Sequence, residues 1–408
     1  MTVGMKNVLL KNQKTGLCSG CGICTVACSN HYLTMKENEV GELRPIAVTL
    51  QKCIDCQKCL KVCPFADNAG EKEKAILEEK CYIGWSGKYR ADASSGGCCT
   101  WFFNQLLETG VVSSVISVYP TSNSDELFAY TVCHNEEELL NCLGSAYYPV
   151  TLENVLKKIE QEKGKIAIIG VPCFVTAIRN LQSGSKKWRE KITVVAGLVC
   201  GHMPSKRMVD VLAWFRKKKR EEIQSCRFRF RDDERPAWNY GIHLTFKEGS
   251  DWKSYGSEEF GYLFWRRLFA QKCCNYCSDV FADQADITFM DAWLPEYKEE
   301  TEGTSMMIVR SKELIPVVEK LKTEGYIGEI SFNKVEEAQK KLCDFKAMAG
   351  THADEERKRI RVQEIIRKYH TDEKVMEALR RLVYKEKLRK ENKILWSMME
   401  IKDKVTGK

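Results

Sequence analysis

No stretch of the 408-residue chain approaches the ~20 apolar residues that a membrane-spanning helix needs. The opening run, MTVGMKNVLLKNQKTG, lacks the long apolar centre of a secretory leader. Both absences set the expectation of a cytoplasmic protein with no transmembrane segment. Strong charge of one sign is missing too, the net charge being +8. The basic excess gathers after residue 350, where 17 Lys and Arg meet 11 Asp and Glu. Both signs are interspersed there, as on solvated helix faces, and no nucleic-acid-binding motif accompanies them, so no nucleic-acid partner is expected. Apart from one doubled cysteine run there is no internal repeat. A hydrophobic share of 44% with 29% charged residues fits a globular chain of two or three domains.

Cysteine is what the sequence has in abundance, 20 residues in all. In a long chain without an export signal, so many thiols point to metal or redox chemistry rather than disulfides. Eight of them fall in two runs, CSGCGICTVACSN and CIDCQKCLKVCPFA, each with the spacing C-x2-C-x2-C-x3-C. Zinc sites usually separate two CxxC pairs by a longer loop. Three cysteines at successive x2 spacings wrap three corners of a cubane instead. In two-cluster ferredoxins the fourth cysteine of each run serves the other cluster. This predicts one 4Fe-4S cluster on Cys18, Cys21, Cys24 and Cys63, and a second on Cys53, Cys56, Cys59 and Cys28. The first run ends in Cys28-Ser29 where the second has Cys63-Pro64. Proline there shapes a turn and is not a ligand. Residues 1–70 therefore read as a bacterial-type dicluster ferredoxin domain that moves single electrons.

A polar stretch, DNAGEKEKAILEEK, reads as a linker with some helix. Beyond it strands and helices alternate. VVSSVISVY is a strand candidate, ENVLKKIEQEKG a helix ended by Gly164, and KIAIIGVPC a buried strand leading into the helix CFVTAIRNLQSG. KITVVAGLVCGH is a second buried strand. Alternation of this kind implies an α/β core, in which ligands collect at the carboxyl ends of strands, and Cys173 and Cys200 follow two such ends. CRFRFRDDERPAWNYGIHLTF reads as a β-hairpin. Its Arg227, Arg229 and Arg231 alternate with Phe228 and Phe230 and are expected to share one face. They would meet either an acidic cofactor tail or solvent. From about 350 the chain reads as helical, with Val362, Ile365, Ile366 and Tyr369, then Met376, Leu379 and Val383, on packing faces.

The stretch CYIGWSGKYRADASSGGCCTWFFNQLLETG resembles the N-terminal part of the family of coenzyme F420 hydrogenase/dehydrogenase beta subunits. The resemblance continues through CLGSAYYPVTLENVL, IIGVPCFVTAIRNL, GLVCGHMPS and CNYCSDVFADQADITFMDAW, and spans residues 80–345. It implies FAD, a further 4Fe-4S cluster in the core, and two-electron chemistry on a deazaflavin or other small-molecule hydride donor or acceptor. The chain thus reads as α+β: a small bacterial-type ferredoxin domain, a larger α/β flavin-binding core, and a helical charged tail over 350–408. Small residues before a helix let backbone approach a pyrophosphate, which puts Ser94, Ser95, Gly96, Gly97 and Thr100 at the flavin phosphates, with Gly144 and Ser145 in the same pocket. The core cluster is assigned to Cys173, Cys200, Cys274 and Cys277, with Cys273 as rival to Cys274. Four dispersed thiolates would also suit zinc. Cys81, Cys98, Cys99, Cys133, Cys142, Cys226 and Cys343 lack ligand spacing and read as ordinary buried thiols.

Three positions depart from the family pattern. Ala146 replaces a lysine, Cys200-Gly201-His202 inverts the usual Cys-His-Gly, and Met290 replaces a glycine. His202 reads as structural or as a proton relay, and no catalytic acid or base is apparent. The expected function is an iron–sulfur flavoprotein oxidoreductase that joins a hydride substrate to a redox protein partner, a ferredoxin or a dehydrogenase or reductase subunit. The alternative is a non-enzymatic electron-transfer adaptor within a larger redox complex.

Overall fold

The computed structural model describes residues 7–48, 53–66, 79–232, 234–368, 374–375, 377–379 and 381–382. The linker over 67–78, and Tyr369, Met376 and Val383 of the tail, lie outside the described residues.

The N-terminal module opens with a helix, Val8–Thr15, capped by the Asn7 side chain on the amides of Leu9 and Leu10. A short antiparallel hairpin follows, β1 (Leu33–Glu37) and β2 (Leu43–Ala47). The larger body is an eight-stranded mixed sheet. Its strands in chain order are β3 (Lys80–Ser86), β4 (Ser114–Pro120), β5 (Phe128–Cys133), β6 (Ile166–Gly170), β7 (Ile192–Leu198), β11 (Ile287–Asp291), β12 (Ser305–Val309) and β13 (Gly325–Ile330). Their spatial order is β13-β3-β12-β11-β7-β6-β4-β5. A second sheet of three strands, β8 (Ile223–Phe230), β9 (Gly241–Phe246) and β10 (Asp251–Tyr255), forms an antiparallel meander. Strand β6 is buried at every residue, as the apolar run IAIIG requires of a strand covered on both faces.

Strands β4, β6, β7 and β11 run parallel. Strand β3 shares their direction, because it and β11 are each antiparallel to β12. The loops after β3, β6, β7 and β11 therefore leave the sheet at one edge. That edge carries the Ser94–Gly97 loop, Cys173, Cys200 and Asp291. Three strand spacings separate β3 from β7, about 14 Å.

The ferredoxin module is pressed onto this body. Gly22 has φ +79°, and a Cβ there would lie 2.2 Å from Thr151 Oγ1, so only glycine fits the contact. The Leu152 amide donates to the Cys21 carbonyl, and the Met35 amide to Glu153 Oε2 at 2.7 Å. Glu37 of β1 receives Arg220 at 3.1 Å and Lys206 at 3.1 Å. Burial raises the Glu37 pKa, but Arg220 and Lys206 outweigh it and hold the carboxyl below its usual 4.5. A lowered carboxylate contributes stability above its unfolded pKa and loses it as pH falls through the folded value. Glu37→Gln is expected to cost about 1.5–3 kcal/mol at neutral pH, read as a lower thermal midpoint. An unchanged midpoint would deny that this contact holds the module in place.

The helix Ala353–Lys368 buries Val362 and Ile366, as its apolar spacing requires, and Leu379 beyond it is buried too. Arg367 pairs with Glu39 of the ferredoxin module at 2.6 Å. No helix among the described residues is long and apolar enough to cross a membrane.

Candidate redox centre

The doubled cysteine run folds into two interleaved sets of thiols. Burial pushes the Cys21 thiol up to about 12, and the neighbouring Cys18 and Cys63 thiols add to the effect. Cys24 is raised for the same reasons, by burial and then by Cys21, Cys18 and Cys63. Cys59 is raised by burial and by Cys28, Cys53 and Cys56. The largest mutual effects link Cys21 and Cys24 to Cys18 and Cys63, and Cys59 to Cys28, Cys53 and Cys56, with a smaller effect of Cys59 on Cys24; this is the grouping expected when each fourth cysteine crosses over. The second set rings a cavity with Asn7, Tyr32 and Ile54. Cys56 is exposed, and beside it Ile54 is 69% exposed.

Lys11 is fully buried, and its ammonium donates to the Leu17 carbonyl and to Cys63 Sγ, the latter at 3.4 Å. Arg44 donates to the Cys18 carbonyl at 2.5 Å and reaches Gln271 of the core at 3.5 Å.

A third set of thiols lies at the sheet edge. Cys173 starts the helix Pro172–Ser183 after β6, and Cys200 follows β7. Cys273, Cys274 and Cys277 come from a 3-10 turn, Lys272–Tyr276, and its end. All five, with His202 and Lys346, line one cavity. Ser19 and Phe65 of the ferredoxin module line it too, so the inner ferredoxin site abuts the core site. The Cys173 thiol is raised by burial and then by Cys277, Cys200 and Cys274. Cys274 is lowered, first by a hydrogen bond from Cys273 and further by the Met203 amide at 3.3 Å and by Arg267 and Lys346. Cys273 is raised by that bond and by burial. Among the described residues, no three Cys, His, Asp or Glu side chains converge as a single-ion site. His202 is buried, stacks on Phe264 at 4.5 Å, and leaves Nε2 without a partner. Burial, with Arg267 and Lys346, pushes its pKa well down, so its ring is neutral.

The proposed phosphate loop follows β3. Gly97 caps the helix Cys98–Glu108 in a left-handed conformation, φ +76°, with no side-chain cap on the first amides. The two glycines answer first to packing. A Cβ on Gly96 would lie 2.7 Å from both the Gly84 carbonyl and the Ser305 amide, and one on Gly97 2.8 Å from the Tyr89 backbone. The Ser95 hydroxyl donates to the Thr304 carbonyl at 3.1 Å. Ser94 and Thr100 are half-buried, and Gly144, φ +123°, is exposed with open space where a side chain would stand.

The hairpin arginines do not share a face, contrary to the alternation in the sequence. A register irregularity between Phe228 and Phe230 puts Arg229 at φ +53° and turns it inward. It forms a bidentate pair with Asp291, at 2.5 and 2.7 Å, beneath Tyr240 and Trp293. A bulge inserts one residue and so inverts the alternation. Arg227 and Arg231 instead brace the backbone just before Ser94, Arg227 on the Asp92 carbonyl and Arg231 on those of Arg90, Ala91 and Ala93. Burial, and then the nearby Arg229 and Arg90, lower the Arg231 pKa. Ser145 bridges Phe228, so both candidate flavin segments meet at β8.

Of the thiols without ligand spacing, Cys81, Cys98, Cys133 and Cys226 are buried, while Cys99, Cys142 and Cys343 are half-buried. Cys133 and Cys142 lie 3.5 Å apart, a closeness that no spacing rule signals.

Three family models match this architecture: a 4Fe-4S dicluster domain over residues 17–66, and the N-terminal and C-terminal parts of the coenzyme F420 hydrogenase/dehydrogenase beta subunit over 81–157 and 163–335. The chain belongs to the family of coenzyme F420 hydrogenase/dehydrogenase beta subunits, with an N-terminal dicluster ferredoxin domain. It is 33% identical over 177 residues to a coenzyme F420-dependent sulfite reductase of Methanocaldococcus jannaschii, covering 41% of this chain and 26% of that one. To one of the F(420)H(2) dehydrogenase subunits of Methanosarcina mazei it is 24% identical, covering 45% of this chain and 53% of that one. The beta subunit of the coenzyme F420 hydrogenase of Methanococcus voltae is 25% identical, with 48% and 64% covered. The chain thus spans less than two thirds of each of these relatives. A chain of the F420-reducing NiFe hydrogenase complex from Methanosarcina barkeri shares the fold, with a TM-score of 0.50 at 16% identity, over 68% of this chain and 93% of that one.

Proposed function

We propose that this protein is an iron–sulfur flavoprotein oxidoreductase that passes electrons between a hydride-carrying small molecule, deazaflavin-like or of another kind, and a redox protein partner. The observation that carries the reading is the contiguous series of thiol sets: the core cavity walled by Cys173, Cys200, Cys274 and Cys277, with Ser19 and Phe65 of the inner ferredoxin site, then the outer ferredoxin site with Cys56 at the surface. Three 4Fe-4S clusters suit these donors, since each set is four thiols around a shared space. Cys274 rather than Cys273 completes the core set.

FAD bound at the β8 edge would supply the exchange between two-electron and one-electron chemistry. Ser94, Ser95, Gly96, Gly97, Thr100, Gly144 and Ser145 form its proposed site. The uncapped amides of the helix Cys98–Glu108 and the charge of Arg231 favour an anion there. Packing of the two glycines fixes the loop in place before any ligand arrives. Arg227 and Arg231 hold the backbone just ahead of the loop, at the carbonyls of Asp92 and Ala91. The partner would meet the outer site at Ile54 and Cys56.

Reduced F420, NADH and reduced flavin, each offered anaerobically with a protein electron acceptor, test this reading. One donor is expected to bleach bound flavin and reduce the acceptor. Cys56→Ala, which removes an outer ligand, is expected to keep the bleaching and lose at least tenfold in acceptor reduction. Purified protein that holds clusters but no flavin and responds to no donor would favour the adaptor instead.

A further inference from the structure

Lys346 lies beyond the segments that carry the family resemblance, on the helix Lys340–Ala347. Its side chain turns inward, and the residue is 2% exposed. The ammonium donates to the Asp279 carbonyl and lies 3.5 Å from Cys277 Sγ. We propose that Lys346 sets the reduction potential of the cluster held by Cys173, Cys200, Cys274 and Cys277, raising it with a buried charge placed against Cys277. The proposal rests on the reading that these four thiols hold a cluster.

Reduction adds one negative charge to a cluster. A fixed cation nearby favours the reduced form, and the potential of a cluster follows net charge, hydrogen bonds to sulfur and exposure to solvent. Burial matters because salt screens an exposed charge and leaves a buried one largely unscreened. Lys346 is well suited to this: it is buried and lines the same cavity as Cys200, Cys274 and Cys277. Arg267 adds a second cation on the same side, held by the Gly201 carbonyl and Asn275 and stacked on Phe345, the neighbour of Lys346. The inner ferredoxin site has the same device, with buried Lys11 at 3.4 Å from Cys63. At the outer site the corresponding contact is a neutral amide, Asn7 Nδ2 at 3.9 Å from Cys53. A buried ammonium thus stands against each of the two inner sites, while the lysine lining the outer cavity, Lys58, is exposed.

The test is a redox titration followed by electron paramagnetic resonance, on full-length protein purified without oxygen. In Lys346→Met the core cluster is expected to titrate at a lower midpoint. At the wild-type midpoint its oxidised-to-reduced ratio should rise at least tenfold, about 59 mV for a one-electron couple. Lys346→Arg should restore the wild-type midpoint, and the two ferredoxin clusters should titrate as before in both variants. If Lys346→Met loses the core iron, Lys346→Gln is measured instead, because it keeps a donor and removes the charge. In the neutral variant that retains the cluster, an oxidised-to-reduced ratio at the wild-type midpoint that rises less than tenfold, a shift under about 59 mV, would overturn the proposal. Wild-type protein with about eight irons and no third signal would overturn the reading of the four thiols beneath it, a result distinguishable by iron count alone.

Discussion

Cys277→Ala is expected to lower iron from about twelve to about eight atoms per chain, while the two ferredoxin clusters persist. Cys277 takes part in none of the ferredoxin thiol sets, so its loss acts on one site. It faces Cys173, Cys200 and Cys274 across the shared cavity and is the thiol that Lys346 contacts. With it gone, only three of the four proposed ligands remain, beside Cys273 and a buried ammonium. If the core cluster is the proposed link between flavin and the ferredoxin module, whose Ser19 and Phe65 it adjoins, the substitution is expected to abolish electron transfer between the two. Iron and sulfide analysis and low-temperature spectra check this. Unchanged iron with full transfer would mean that Cys277 is not a ligand.

The second large effect is on stability. Asp291→Ala leaves the Arg229 guanidinium buried beneath Tyr240 and Trp293 without its bidentate partner. Burial alone would depress the Arg229 pKa, and Asp291 is what keeps its charge favourable there. Removing one partner of a buried pair costs about 3–5 kcal/mol. Arg229 has no easy retreat, since it occupies a bulge at φ +53° in the interior of β8. A fall in thermal midpoint of roughly 4–9 °C is expected, larger than for Glu37→Gln. The double variant Arg229→Met with Asp291→Ala should recover much of the loss, because no orphan charge remains. A drop no greater than that of a typical surface substitution would show that water or another group satisfies Arg229.

The ferredoxin module was legible in sequence because its chemistry is written in spacing. Three thiols at successive x2 spacings wrap one cubane and leave the fourth to its neighbour, so the crossing of Cys28 and Cys63 follows. The core thiols were harder to read, since Cys173, Cys200, Cys274 and Cys277 are dispersed, and family resemblance rather than spacing pointed to them. The strands IAIIG and ITVVAGL announced themselves by apolar runs. The hairpin arginines misled, because period-two reasoning holds only while a strand is regular and one bulge at Arg229 exchanged inside for outside. Lys346 gave no signal at all: a lysine in KKLCDFKA looks like one more solvated charge, and only the packing of its helix on Asp279 and Cys277 distinguishes it. The helix ENVLKKIEQEKG ends at Ile159 instead of reaching Gly164.

The central claim is that one chain carries three clusters and a flavin in series. Iron, acid-labile sulfide and released flavin per chain, measured on protein purified anaerobically, test it most directly. About twelve irons with a matching amount of sulfide and one FAD is the result predicted here. About eight irons and no flavin would leave only the ferredoxin domain loaded and would contradict the account of the core.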